Sequence, residues 1–274
     1  MENWRKSVVL ITSQDTERQE NGMFGTGFVI HQEQSITYIL TCAHVVEDVG
    51  GKEEVVVAGK KAIVKTLGDS QGCDLALLTV KEGLSDLPIL KLGKVEVTEK
   101  DFTIAISICG FYTDATRTYK QAKIQGKGDE GPYIFNPKNR ENTKTWNLKI
   151  NDILPGYSGS PIIDPGTGYV LGVVSQSTGN NQGLGISIEA WETIWQEMDL
   201  KLEEIRAQPT QKPNDTNKSI DMNGENPSDN TTRRERESPQ SQVFGNITIT
   251  GSGNDFKALQ AGGDVTLNQN STHA

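Results

Sequence analysis

The chain is short of cysteine, of positive charge and of long apolar runs. Its three cysteines, Cys42, Cys73 and Cys109, form an odd set without zinc-ligand spacing and unlike the paired framework of a small secreted domain, so they are expected as reduced, buried thiols. No stretch approaches the roughly 20 apolar residues of a membrane-spanning helix. The N-terminal MENWRKSVVLITSQ has only the apolar run VVLI, too short for the core of a secretion signal. A cytoplasmic location with no membrane partner is the expectation. The 27 Lys and Arg are outnumbered by 36 Asp and Glu, for a formal net charge of −9. Nucleic acid and anionic lipid both need clustered cations, so neither is expected, and a protein or peptide partner is favoured. Only three histidines occur, which narrows any search for a general base.

Residues 1 to about 188 carry short apolar or alternating runs separated by turn residues. VVLI, GTGFVI, TYILT, EVVVA, KAIVKTL, LALLTV, FTIAIS, YKQAKIQG, TWNLKI, PIID and YVLGVVS follow one another, many rich in β-branched residues and most bounded by Gly, Asp, Asn or Pro. The reading is all-β, as two barrels or a large sandwich. Trp191, Ile194, Trp195, Met198, Leu202 and Ile205 then recur at three- and four-residue intervals, which predicts an amphipathic helix over about 189–205 packed on the β domain.

From 206 to 241 the chain is poor in large apolar residues and rich in Pro, Asn, Ser and charge, so it is expected to remain a flexible linker. The segment 242–270 differs again. GNITI at 245–249 returns as GDVTL at 263–267, an internal repeat of alternating apolar and Thr positions. Two such strands are marginal alone, but stacked on copies from other chains they satisfy their edges.

Three motifs carry chemistry. In GYSGSP, Gly156 and Gly159 flank Ser158. Acyl transfer needs a hydroxyl projecting from a constrained turn, with backbone N–H groups aimed where the carbonyl oxygen becomes negative; Gly156 and Ser158 are the natural donors. In TCAHVV, His44 follows an apolar strand, whereas His31 lies in a polar turn and His273 one residue from the end, so His44 is the one a core can hold as a general base. In CDLALLTV, Asp74 stands immediately before an apolar strand, tolerable where it accepts a hydrogen bond from an imidazole and fixes its tautomer. Singly, each has a plain structural explanation: a glycine turn, a core histidine, a strand-opening aspartate. Their joint occurrence changes that balance.

Taken together, TCAHVV, DLALL, GYSGSP and VLGVVSQS resemble the trypsin-like serine peptidases of the chymotrypsin superfamily, especially bacterial members without disulfides. The resemblance covers about residues 7–205. It implies two six-stranded β-barrels, about 1–95 and 103–188, and a His44, Asp74, Ser158 triad lying between them, with no cofactor and no metal. It implies further that Gly156 and Ser158 form the oxyanion hole and that Ser175, Gln176 and Ser177 line the strand on which a peptide substrate pairs. Asp152 lies where trypsins keep the acid selecting Arg or Lys. Tyr157 replaces the aspartate that pairs with a newly cut N-terminus in digestive members, so activation of that kind is not expected. The tail of 242–270 is similar to short amyloid-type signalling motifs of bacterial effectors. That likeness implies recruitment by a nucleotide-binding receptor, or self-association, in a defence system.

Overall fold

The computed structural model describes residues 3–81, 83–95, 102–136, 141–179, 181–195 and 202–205. The linker and tail expected at 206–241 and 242–270 lie outside the described residues. The alternating runs fold as expected into an all-β structure with two barrel-like sheets. The first holds β1 (Val8–Ser13), β2 (Gly25–Glu33), β3 (Ile36–Thr41), β4 (Val55–Val57), β5 (Lys60–Lys61), β6 (Ile63–Leu67) and β7 (Ala76–Lys81), in the order β5-β4-β1-β2-β3-β7-β6. It has seven strands where six were expected, because the short β5 adds an edge. Strand β8 (Gly93–Val95) follows.

The second sheet is built from β9 (Thr103–Thr113), β10 (Tyr119–Glu130), β13 (Thr145–Lys149), β14 (Pro161–Ile163), β15 (Val170–Gly179) and β16 (Gln182–Ser187), with a small hairpin of β11 (Ile134–Asn136) and β12 (Glu141–Thr143) between β10 and β13 in the chain. It closes in the order β10-β13-β16-β15-β14-β9. Aliphatic and aromatic residues fill both interiors. Phe28, Ile39, Leu40 and Leu77 are fully buried in the first core, and Ile106, Trp146, Leu148 and Ile162 in the second. Each such side chain contributes about 1.5–3 kcal/mol by leaving water.

The C-terminal helix is shorter than its periodicity predicts. A single turn, α3 (Trp191–Ile194), ends at an extended Trp195 with φ −148°, and Glu203–Ile205 is a strand, β17, paired in parallel with β8. Two cores share the apolar spacing: Trp191 is buried in the first and Ile205 in the second. Burial against different partners, not one helical face, satisfies the pattern. The two other short helices are α1 (Thr16–Glu20) and α2 (Ala43–Asp48). No helix among the described residues is long and apolar enough to cross a membrane.

Candidate active site

The imidazole half of the site is local to the first sheet. β3 and β7 are antiparallel neighbours with Thr41 opposite Ala76, so the segments just beyond those residues are forced together. One opens α2 and the other carries Asp74. The first N–H groups of a helix have no partner within it, and the residue before α2, Cys42, offers no side-chain cap. Asp74 fills that gap from across the sheet, accepting the His44 backbone N–H on Oδ1 at 3.0 Å. Its other oxygen, Oδ2, lies 2.7 Å from His44 Nδ1. A carboxylate only accepts, so the proton sits on Nδ1 and Nε2 is left with its lone pair. Asp74 is 2% exposed and the His44 side chain 24%. Burial works to lower the His44 pKa, but the hydrogen bond and charge of Asp74, with smaller contributions from Asp48 and Glu47, outweigh it and hold the imidazole above its ordinary value.

The hydroxyl half comes from the second barrel. Ser158 stands in a turn closed by the Tyr157 N–H on the Leu154 carbonyl and the Ser160 N–H on the Tyr157 carbonyl. Gly156 and Gly159 take φ values of +95° and +86°, which side-chain-bearing residues rarely adopt. A Cβ at Gly159 would also collide with the Thr26 carbonyl and the Thr41 hydroxyl. The Gly156 and Ser158 N–H groups donate to no acceptor among the described residues. The Ser158 hydroxyl donates to the Ser175 carbonyl at 3.0 Å.

Ser175 connects the two halves. Val174 faces Gly185 and Gln176 faces Leu184, so Ser175 is the extra residue of a β-bulge, a device that re-aims one side chain. It was expected as a groove-lining residue. Its buried hydroxyl instead donates to Asp74 Oδ2 at 2.6 Å, giving the carboxylate a third hydrogen bond. Gln176 and Ser177 are exposed on β15. β14 pairs with β15 only as far as Val173, so among the described residues the opposite edge of Ser175–Gly179 carries no strand. Asp152 is exposed, at φ +65°.

Sequence reasoning missed Thr26. The GTG run looked like an ordinary strand entry, yet fully buried Thr26 straddles both barrels. Its N–H donates to the Ser158 carbonyl at 2.8 Å, its hydroxyl donates to the Gly156 carbonyl at 2.7 Å and also accepts the Phe111 N–H at 2.9 Å. A polar residue between two glycines in an apolar strand was the available signal.

The three cysteines are buried, and no disulfide joins them among the described residues. Burial, with Asp74 adding to it, pushes the Cys42 thiol well above its usual range, and the thiol donates to the Val174 carbonyl at 3.2 Å. Cys42, His44 and Asp74 place ligand-type atoms within 4.8 Å of one another. A cation would have to displace the hydrogen bonds already made by the thiol, the imidazole and the carboxylate, so this donor set fits a proton-transfer pair better than a metal.

Two β-barrels meeting at a carboxylate–imidazole pair and a glycine-flanked serine define a protein of the chymotrypsin-like fold. The family model of the trypsin-like peptidase domain matches residues 25–173, more than half of the chain, and the chain belongs to that family. A probable periplasmic serine endoprotease, DegP-like, from Chlamydia muridarum is 30% identical over 179 residues, covering 64% of this chain and 33% of that protein. The protein of the same description from Chlamydia pneumoniae is 29% identical over 183 residues, 65% of this chain and 34% of that one. The chain therefore spans about a third of the length of the curated relatives it matches. Among solved structures, the active form of the Rv3671c protease from M. tuberculosis is similar over 73% of this chain and 84% of that chain, at 23% identity and a TM-score of 0.47.

Proposed function

We propose that the protein is a serine endopeptidase that hydrolyses a protein substrate through His44, Asp74 and Ser158. The observation that carries the reading is the buried Asp74 carboxylate on His44 Nδ1, since an imidazole held this way keeps Nε2 ready for a proton. The Ser158 hydroxyl turns about its Cα–Cβ bond from the Ser175 carbonyl towards His44 Nε2, gives up its proton there and attacks the scissile carbonyl. The oxyanion takes hydrogen bonds from the Gly156 and Ser158 N–H groups. The C–N bond breaks as the leaving amine takes the proton back from His44. Water, deprotonated by the same imidazole, then attacks the acyl carbonyl; the ester C–O bond breaks as the imidazolium gives that proton to the Ser158 oxygen, releasing the carboxylic acid and restoring Ser158. This mechanism is that of the family, carried onto these residues. An extended peptide would add to the open edge of Ser175–Gly179, with backbone groups supplying affinity.

A fluorophosphonate is expected to label the wild-type protein covalently and to leave Ser158→Ala unlabelled. Equal labelling of the two would overturn the assignment. A second reading, a peptide-binding protein without turnover, is favoured by one observation, the hydrogen bond of the Ser158 hydroxyl to the Ser175 carbonyl and not to the ring. It predicts peptide binding without label. The repeated GNITI and GDVTL motifs support recruitment of the peptidase through residues 242–270, by a nucleotide-binding receptor or by its own copies, which would raise its local concentration. A 242–270 peptide that stays monomeric and unstructured at high concentration would remove that part.

A further inference from the structure

We propose that Phe24, braced by Tyr119, is a positioning residue that holds Gly156 in the conformation able to bind an oxyanion. The inference rests on the peptidase reading and deepens it. Glycine at φ +95° moves between backbone wells at little cost, so the direction of its N–H has to be imposed from outside. Tyr157 imposes little of it. That residue carries no charge, burial pushes its phenol up to about 12, and its hydroxyl reaches only the Ala122 carbonyl, at 3.3 Å. Two first-barrel groups act on Gly156 directly. The Thr26 hydroxyl fixes its carbonyl, and the Phe24 ring fills the space beside its Cα. A Cβ built there would lie 2.5 Å from Phe24 Cζ and 2.7 Å from the Phe111 carbonyl oxygen. Ring and carbonyl together crowd the glycine on the side that a Cβ would occupy.

The ring is itself held. Phe24 meets Tyr119 edge to face, with centroids 5.0 Å apart and planes at 67°, the arrangement that aromatic quadrupoles favour. Tyr119 opens β10 opposite Thr113. The turn between them is pinned by Asp114, whose Oδ1 accepts the N–H groups of Thr116 and Thr118 and the Thr116 hydroxyl. Arg117 donates from the same turn to the Glu20 carbonyl at 3.3 Å. The chain of contact runs from a second-barrel hairpin through a first-barrel ring to the donor of the second-barrel nucleophile turn.

The test uses the full chain and a cleavable peptide. Phe24→Ala and Tyr119→Ala are each expected to lower kcat about 10- to 100-fold, less than the 10²–10³ of deleting a donor outright, with KM within about twofold. Affinity for a peptide boronate, whose tetrahedral adduct uses the oxyanion donors, should fall in parallel. Affinity of the uncleaved peptide, measured in a Ser158→Ala background, should not change. Tyr119→Phe should restore kcat, since the ring and not the hydroxyl makes the contact. Unchanged kcat in Phe24→Ala overturns the proposal, as does a loss of boronate and uncleaved-peptide affinity to the same degree, the mark of general unfolding. A wild-type protein that neither labels nor cleaves sinks the peptidase reading and the positioning role with it; a labelled wild type beside a fully active Phe24→Ala sinks the positioning role alone.

Discussion

The first barrel holds His44 and Asp74 by its own strand pairing, whereas the second holds the Ser158 turn with help from across the interface. His44 and Asp74 follow from the β3–β7 register, with Asp74 doubling as the helix cap. The Ser158 turn contains two glycines at positive φ and depends on Thr26, a residue of the other barrel, for hydrogen bonds at both Gly156 and Ser158. A general base needs a fixed tautomer, which one buried carboxylate supplies. A nucleophile turn must present a hydroxyl and two N–H groups at once, and that many constraints exceed what one short loop supplies from its own contacts.

This contrast can be broken or sharpened by substitution. The largest effect is expected for Asp74→Asn, which keeps the shape but presents the wrong hydrogen-bonding pattern to His44: kcat should drop about 10⁴-fold, the scale known for triads of this type, read from steady-state peptide hydrolysis. A loss no larger than that of Thr26→Val would erase the distinction between the halves. Next is Gly159→Ala, whose methyl meets the Thr26 carbonyl and the Thr41 hydroxyl; a stability loss of about 1–3 kcal/mol should appear in denaturant titration together with lost labelling of Ser158. Thr26→Val preserves volume while stranding the Gly156 carbonyl and the Phe111 N–H, both in part-buried hydrogen bonds, at a cost of up to about 1–3 kcal/mol each. Its kcat should fall more than its KM rises, and an unaffected kcat would place all control of the turn within the second barrel. The smallest effect is electrostatic. In the proposed mechanism His44 is neutral when it accepts the Ser158 proton, and Asp48 is one of the charges holding its pKa up. Activity therefore falls as pH drops through a value above the ordinary imidazole pKa, and Asp48→Asn should move that acidic limb of kcat/KM to lower pH. Added salt should move it the same way by screening.

The all-β architecture was legible because alternation and turn residues are local signals, and they recur along most of the chain. The helix at 189–205 was misjudged in extent for a matching reason. Its three- and four-residue apolar spacing is local too, but Trp191 and Ile205 enter different cores, which no window of sequence displays. Ser175 was legible as a residue of the site and not as the third partner of Asp74, because a bulge shifts one residue and the sequence carries no mark of where the shift falls.

By itself the sequence determined the strands, the scarcity of histidine that singles out His44, the acid opening β7 and the serine between two glycines. These are properties of residue type and near neighbours. Only the tertiary structure decided that Asp74 caps α2 as well as holding the imidazole, that Ser175 turns inward, and that Phe24 and Thr26 of one barrel brace the turn of the other. The contacts of Ser175, Phe24 and Thr26 join residues more than a hundred positions apart, and which partner lies at such a distance is set by how the two barrels pack, not by any pattern along the chain.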